Sequence, residues 1–171
     1  MICINIRKKR RREFNGFWFS LSDISIFPIH TLKYDIKKIQ TKMFVINCKN
    51  YEEISGDKIK KFIQIAEQVS KKYKIKIAIS PPQHLIGLVT NSSIPILAQH
   101  VDDSKIGSTT GYIIPELLKK SKVKGSLINH SEHRISSKEI EKLVLKLKEL
   151  KMISIVCVKD VAEVKKYLKI N

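Results

Sequence analysis

Cysteine is scarce in this 171-residue chain: Cys3, Cys48 and Cys157 are an odd number without Cys-x-x-Cys spacing. No zinc site or disulfide framework follows from them, and a reducing, cytoplasmic setting is the simpler expectation. Cys48 and Cys157 each close an apolar, strand-like run, where a thiol serves as a small hydrophobe. Long apolar runs are lacking as well; none approaches the roughly 20 residues of a membrane span. The amino-terminal stretch does not fit a secretory signal, because the basic block Arg7–Arg12 is followed by polar interruptions such as Asn15, Ser20 and Asp23. Acidic residues are the third shortage, 16 against 33 Lys and Arg, for a net charge of +17. Such an excess raises a nucleic-acid partner. Within residues 43–171, however, 23 basic and 13 acidic side chains are spread along helical faces, as at Lys58, Lys60, Lys61, Lys71 and Lys72. That pattern reads as a solvated basic surface, so neither nucleic acid nor membrane is the expected partner.

What is present falls into two unlike parts. Residues 1–42 combine the block Arg7–Arg12 with an aromatic cluster, Phe14, Phe17, Trp18 and Phe19, and show no clean period; they read as an extension outside the fold. From Met43 onward, apolar runs alternate with amphipathic stretches. Strands are expected at 44–48, 75–80, 94–99, 125–129 and 152–158. Helices are expected from a Ser55 cap to Tyr73, weakly over 84–90, and over 115–121, 136–150 and 160–168, with Pro115 in a first turn and Asp160 as a cap. Five successive βα units with continuously apolar strands imply a parallel sheet covered by helices, an α/β fold.

Two polar motifs stand at strand ends: Asn47-Cys48-Lys49 after Phe44–Ile46, and Asn129-His130-Ser131-Glu132 after Ser126–Ile128. In a barrel of alternating strands and helices, side chains just past the C-terminal ends of different strands meet in one pocket. An ammonium and an imidazole meeting there suit a site that binds an anionic substrate and polarises a carbonyl. His130 precedes a helix, whose N-terminus favours the neutral imidazole. His30, His84, His100 and His133 have no comparable setting and read as ordinary surface or core residues.

These landmarks together resemble the triosephosphate isomerase family, in its short archaeal form, over nearly all of residues 43–171. Asn47-x-Lys49 is similar to the family's Asn-x-Lys, and Ala98-Gln99-His100 to its Ala-Gln-Asn or Ala-Gln-His. Gly107–Gly111 with Tyr112-Ile113-Ile114-Pro115 resembles the interface loop, where Thr110 matches the threonine that reaches a neighbouring subunit. Asn129-His130-Ser131-Glu132 matches the archaeal Asn-His-Ser-Glu, and Cys157 a cysteine common at the fifth strand's end. The resemblance implies a partial (β/α)8 barrel and the interconversion of dihydroxyacetone phosphate and glyceraldehyde 3-phosphate, a step of glycolysis and gluconeogenesis, without metal or organic cofactor. It implies His130 as electrophile, Lys49 and Asn47 as substrate-binding residues, and Glu132 as a buried carboxylate near Lys49. The partners implied are the triose phosphate and either a second copy or a complementary C-terminal barrel chain. The family's general base, a glutamate after a sixth strand, has no counterpart up to Asn171. The chain by itself is therefore expected to be a poor isomerase, with open, association-prone edges on its first and fifth strands. A truncated, non-catalytic half-barrel used as an oligomerisation module, and a nucleic-acid binder acting through Arg7–Arg12, remain alternatives.

Overall fold

The computed structural model describes residues 2–5 and 43–170. Strand β1 is Ile2–Asn5 and β2 is Met43–Asn47. After a 3-10 turn over Glu52–Ile54 come helix α1, Lys58–Tyr73, and strand β3, Lys76–Ser80. A 3-10 helix over Gln83–Leu88 leads to β4, Leu97–Ala98, then α2, Pro115–Lys120, and β5, Gly125–Ile128. Helix α3, Ser137–Glu149, strand β6, Ile153–Val158, and helix α4, Val161–Tyr167, complete the order. No described helix is long and apolar enough to cross a membrane.

The expected five βα units are present, and their strands run parallel in chain order. β2 pairs with β3, β4 with β5 and β5 with β6. A parallel bridge between Ile79 and Ile96 joins the two groups, with Ile79 N donating to Pro95 O at 3.0 Å. The strand expected over 94–99 shrinks to two residues. Pro95 has no N–H to give the ladder, and Gln99 N turns instead to Gln83 Oε1 at 3.3 Å. Residues 84–90, expected as a weak helix, form a 3-10 segment from Gln83.

Alternation along the strands creates two packed faces. Ala78, Leu97, Leu127, Ile153 and Ile155, with Met43 and Val45, form the inner layer. On the outer face, Ile59, Ile63 and Ala66 of α1 pack against Ile77, Ile79 and Ile96. Ile140, Leu143, Val144 and Leu147 of α3 pack against Ile128, Val156 and Val158. Each such fully buried Val, Leu or Ile side chain contributes roughly 1.5–3 kcal/mol.

Helix α3 starts with the expected Ser136 cap, a reciprocal pair in which Glu139 N donates to Ser136 Oγ and Ser136 N to Glu139 Oε2. Asp160 caps α4 through Glu163 N at 2.8 Å. Helix α1 departs from expectation. Gly56 takes a positive φ, so Ser55 closes the 3-10 turn onto Glu52 O and Asp57 becomes the N-cap, its carboxylate paired with Lys60 Nζ at 2.7 Å rather than bonded to a backbone N–H of the helix. At their C-termini α1, α2 and α3 share one device. Lys74, Lys122 and Lys151 are left-handed, and the apolar residue after each, Ile75, Val123 or Met152, donates back to Ser70, Leu118 or Leu147.

Two expectations about the margins are corrected. The outer edge of β6 is not open, because β1 pairs with it antiparallel, Ile2 opposite Val158 and Asn5 opposite Ile155. Nor do all of residues 1–42 stand apart from the sheet, since Ile2–Asn5 belong to it; residues 6–42, with the Arg7–Arg12 block and His30, lie outside the described residues. Among the described residues β2 pairs on one side only.

Gly125 and Lys151 give opposite stability tests. A Cβ at Gly125 would run into the Ile153 backbone carbonyl where β5 meets β6. Gly125→Ala should therefore destabilise urea unfolding by more than about 2 kcal/mol. Lys151→Gly relieves a left-handed lysine and should stabilise by about 1 kcal/mol. A neutral Gly125→Ala would mean that β5 and β6 are not in this register.

Candidate functional site

The parallel strands end at a common rim, and β2, β4 and β5 each deliver a polar side chain there. Asn47 closes β2. Its Oδ1 accepts from Lys49 N at 3.0 Å and from Gln99 Nε2 at 3.3 Å, while Gln99 Nε2 also donates to Lys49 O at 2.9 Å. Cys48 N remains on the ladder, donating to Ser80 O at 2.9 Å. This net holds Lys49 at φ 48, a left-handed conformation uncommon for a side-chain-bearing residue. Gln99 was legible only as part of the Ala98-Gln99-His100 landmark, and its bridging position is a structural finding.

After β5, Asn129 is the second left-handed residue at the rim, φ 61. Its buried side chain is bonded at both polar atoms: Nδ2 donates to Cys157 O at 3.0 Å and Oδ1 accepts from Ile135 N at 3.1 Å. Arg134, which sequence reasoning passed over, donates from one guanidinium nitrogen to Asn129 O and Cys157 O. The loop carrying His130 is therefore tied to the end of β6 at both ends.

These constraints bring the expected site residues together. His130 is 7% exposed, and its Nε2 lies 3.4 Å from Asn47 Nδ2. Glu132 N donates to His130 Nδ1 at 3.3 Å while the Asn47 NH2 group points its donor at Nε2; a neutral ring accepts at one nitrogen only, so its tautomer selects which of the two bonds is made. Lys49 Nζ forms an ion pair with Glu132 Oε1 at 2.8 Å, and Glu132 Oε2 stands 3.7 Å from His130 Nδ1. Glu132 is near Lys49 as expected, but it is not buried; its side chain is 59% exposed. The reason is that it reaches outward over the rim to meet a lysine that is itself partly solvated.

The electrostatics favour a neutral imidazole. Burial is the main force holding the His130 pKa below 6.5; the Glu132 carboxylate pulls the other way, and Lys49 and Arg134 add to the depression. The N-terminus of α3, the cause expected from sequence, begins only at Ser137. Glu132 holds the Lys49 ammonium above its usual pKa, and Lys49 in turn holds the Glu132 carboxyl down. Burial pushes the Cys48 thiol up to about 11, which keeps it protonated. Thr110 is exposed on the loop between β4 and α2. Among the described residues no three His, Cys, Asp or Glu side chains are arranged to hold a metal.

Comparison with known proteins agrees with this geometry. The family model described as triosephosphate isomerase matches residues 42–170. A triosephosphate isomerase of Cenarchaeum symbiosum is 51% identical over 124 residues, covering 72% of this chain and 56% of the relative. One of Methanothermus fervidus is 42% identical over 120 residues, covering 70% of this chain and 54% of the relative. The chain thus spans a little over half the length of these relatives. In fold it is similar to the crystal structure of triosephosphate isomerase from Bartonella henselae, with a TM-score of 0.55, 19% identity, and 75% of this chain and 55% of that one covered. The described fold is accordingly that of a partial barrel.

A pH dependence follows from His130 and His100, both held below the ordinary imidazole pKa. The unfolded chain binds protons at these positions first as pH falls, so folding stability is greatest above about pH 7 and declines through about 6.5. Urea midpoints should fall between about pH 7.5 and 5.5, before carboxylates titrate. A flat or rising midpoint over that range would contradict the assigned direction.

Proposed function

Because this chain belongs to the triosephosphate isomerase family, we propose that its rim binds a triose phosphate and serves the interconversion of dihydroxyacetone phosphate and glyceraldehyde 3-phosphate. One observation supports the reading above others: Asn47 Nδ2 and His130 Nε2, delivered from the ends of two different strands, meet at 3.4 Å on the rim, so one substrate oxygen can reach both. A carbonyl oxygen brought against both atoms takes the Asn47 NH2 bond and, with the ring proton on Nε2, a second bond from His130, so the negative charge it gains as the enediolate forms is stabilised where it develops. A neutral imidazole donates that bond while retaining its proton, and burial keeps His130 neutral. Lys49 lies one residue beyond the Cys48 link from Asn47 and is paired with an exposed carboxylate. A dianionic phosphate displaces Glu132 from the ammonium without uncovering a buried charge.

Proton transfer between the two carbons needs a carboxylate base. Glu132 is engaged with Lys49; Asp160 and Glu163 cap α4, where Glu163 Oε2 accepts from Lys159 N at 2.9 Å. On this reading the base is a glutamate after a sixth parallel strand, outside residues 43–170, on this polypeptide or on a complementary chain. The exposed Thr110 loop is the surface offered to a neighbouring subunit.

The test has two arms. Glycerol 3-phosphate, an unreactive three-carbon phosphoester, should shift the amide resonances of Asn47, Lys49, His130 and Glu132, and Lys49→Met should weaken its binding by at least about tenfold. Mixing the chain with the C-terminal segment of the Cenarchaeum symbiosum relative should then give isomerase activity, which His130→Gln lowers about 10²- to 10⁴-fold in kcat. No rim shifts in the first arm, or no rate above either piece alone in the second, would count against the proposal.

A further inference from the structure

Two histidines given no functional role from the sequence, His100 and His133, are in contact with each other. The rings of His100, after β4, and His133, after β5, lie 3.9 Å apart at 18°, a face-to-face stack. Each is wired into its own loop. His100 Nε2 meets Asp102 Oδ1 at 3.2 Å, and Asp102 Oδ2 accepts from Ile113 N at 2.6 Å while Asp102 N donates to Ile113 O at 2.9 Å. Asp102 therefore anchors the far end of the loop bearing Thr110. On the other side, His133 N donates to His130 O at 2.8 Å, closing the turn that contains Ser131 and Glu132. A continuous set of contacts thus runs from the Thr110 loop through Asp102, His100 and His133 to His130.

We propose that the His100–His133 stack is a pH-responsive clasp that positions the His130 loop. With both rings neutral, they stack and hold the turn from His130 to His133 shut. The groups facing the pair are Asp102 on the His100 loop and Glu139 in the first turn of α3; both carboxylates attract the first proton. A second proton places two imidazolium rings face to face, and their repulsion separates them. His100 is largely buried and His133 exposed, so His133 is the ring that leaves. The His133 N–H then loses its register on His130 O, and Glu132, which sits inside the turn, no longer holds either Lys49 Nζ or His130 Nδ1 in place. The two residues are positioning residues; neither bonds to the Asn47 or His130 side chain. Burial and the facing His133 already keep the His100 pKa below the ordinary value, which places the opening on the acid side of neutrality.

The geometry of the clasp stands independently of the isomerase reading, although its consequence for catalysis rests on that reading. The experiment is an NMR pH series on the full chain, following the His100 ring and the exchange protection of the His133 amide. Between about pH 7.5 and 5.5, protection of that amide should drop at least about tenfold once intrinsic exchange is divided out. His133→Phe keeps a flat ring without a charge; it should hold protection level over the same range and move the His100 midpoint upward. His133→Ala should lose protection at every pH. A wild-type protection factor that does not change with pH, or a His100 midpoint identical in wild type and His133→Phe, would overturn the proposal. Failure of glycerol 3-phosphate to bind would count against the isomerase reading alone, because neither readout involves a ligand.

Discussion

Asn47 is the residue on which the site depends. Its carboxamide oxygen accepts from Lys49 N and Gln99 Nε2 together, and that fixes where its NH2 end points. Because the oxygen is turned inward to these donors, the nitrogen faces His130, 83 positions further along the chain. Without that pair of bonds the left-handed turn at Lys49 keeps only the Gln99 bond to its carbonyl and the Glu132 ion pair, and the ammonium and imidazole lose their common reference. Asparagine suits the position because it is uncharged and carries a donor and an acceptor on one rigid plane. Aspartate would present a second acceptor, and its charge would draw Lys49 away from Glu132.

Strain is distributed in an instructive way. Lys74, Lys122 and Lys151 take left-handed conformations to end helices in a chain with only six glycines. There the cost, about 1–2 kcal/mol each, is offset by satisfied helix carbonyls and by burial of Val123 and Met152. Lys49 and Asn129 adopt the same conformation for another reason. They lie where the chain leaves a strand and must aim a side chain across the rim, and each is held by side-chain bonds to a different strand's end. Strained backbone maintained by long-range partners is the pattern expected of a binding site.

Much of the fold was legible because it is written in local patterns. The βα alternation, the parallel order, the Ser136 and Asp160 caps and the Pro115 helix start all rest on periodicity or on contacts within four residues. Asn47, Lys49 and His130 could be singled out because each follows an apolar strand, although their convergence came from the barrel geometry that the motifs resemble. What could not be read were contacts between loops. The Gln99 bridge, the Arg134 tie to Cys157 O and the His100–His133 stack join residues with no shared period. The antiparallel pairing of Ile2–Asn5 with β6 was hidden for the same reason, since a four-residue apolar segment before a basic block carries no sign of its partner strand. Glu132 was misjudged as buried because a motif reveals a carboxylate's neighbours and not its solvent exposure.

The central claim is that one substrate oxygen meets both Asn47 and His130 while Lys49 takes the phosphate. A crystal structure of the chain with dihydroxyacetone phosphate bound tests it directly. The carbonyl oxygen should lie within about 3 Å of both Asn47 Nδ2 and His130 Nε2, with Lys49 Nζ transferred from Glu132 to a phosphate oxygen. A ligand seated elsewhere, or a carbonyl oxygen that meets neither donor, would contradict it.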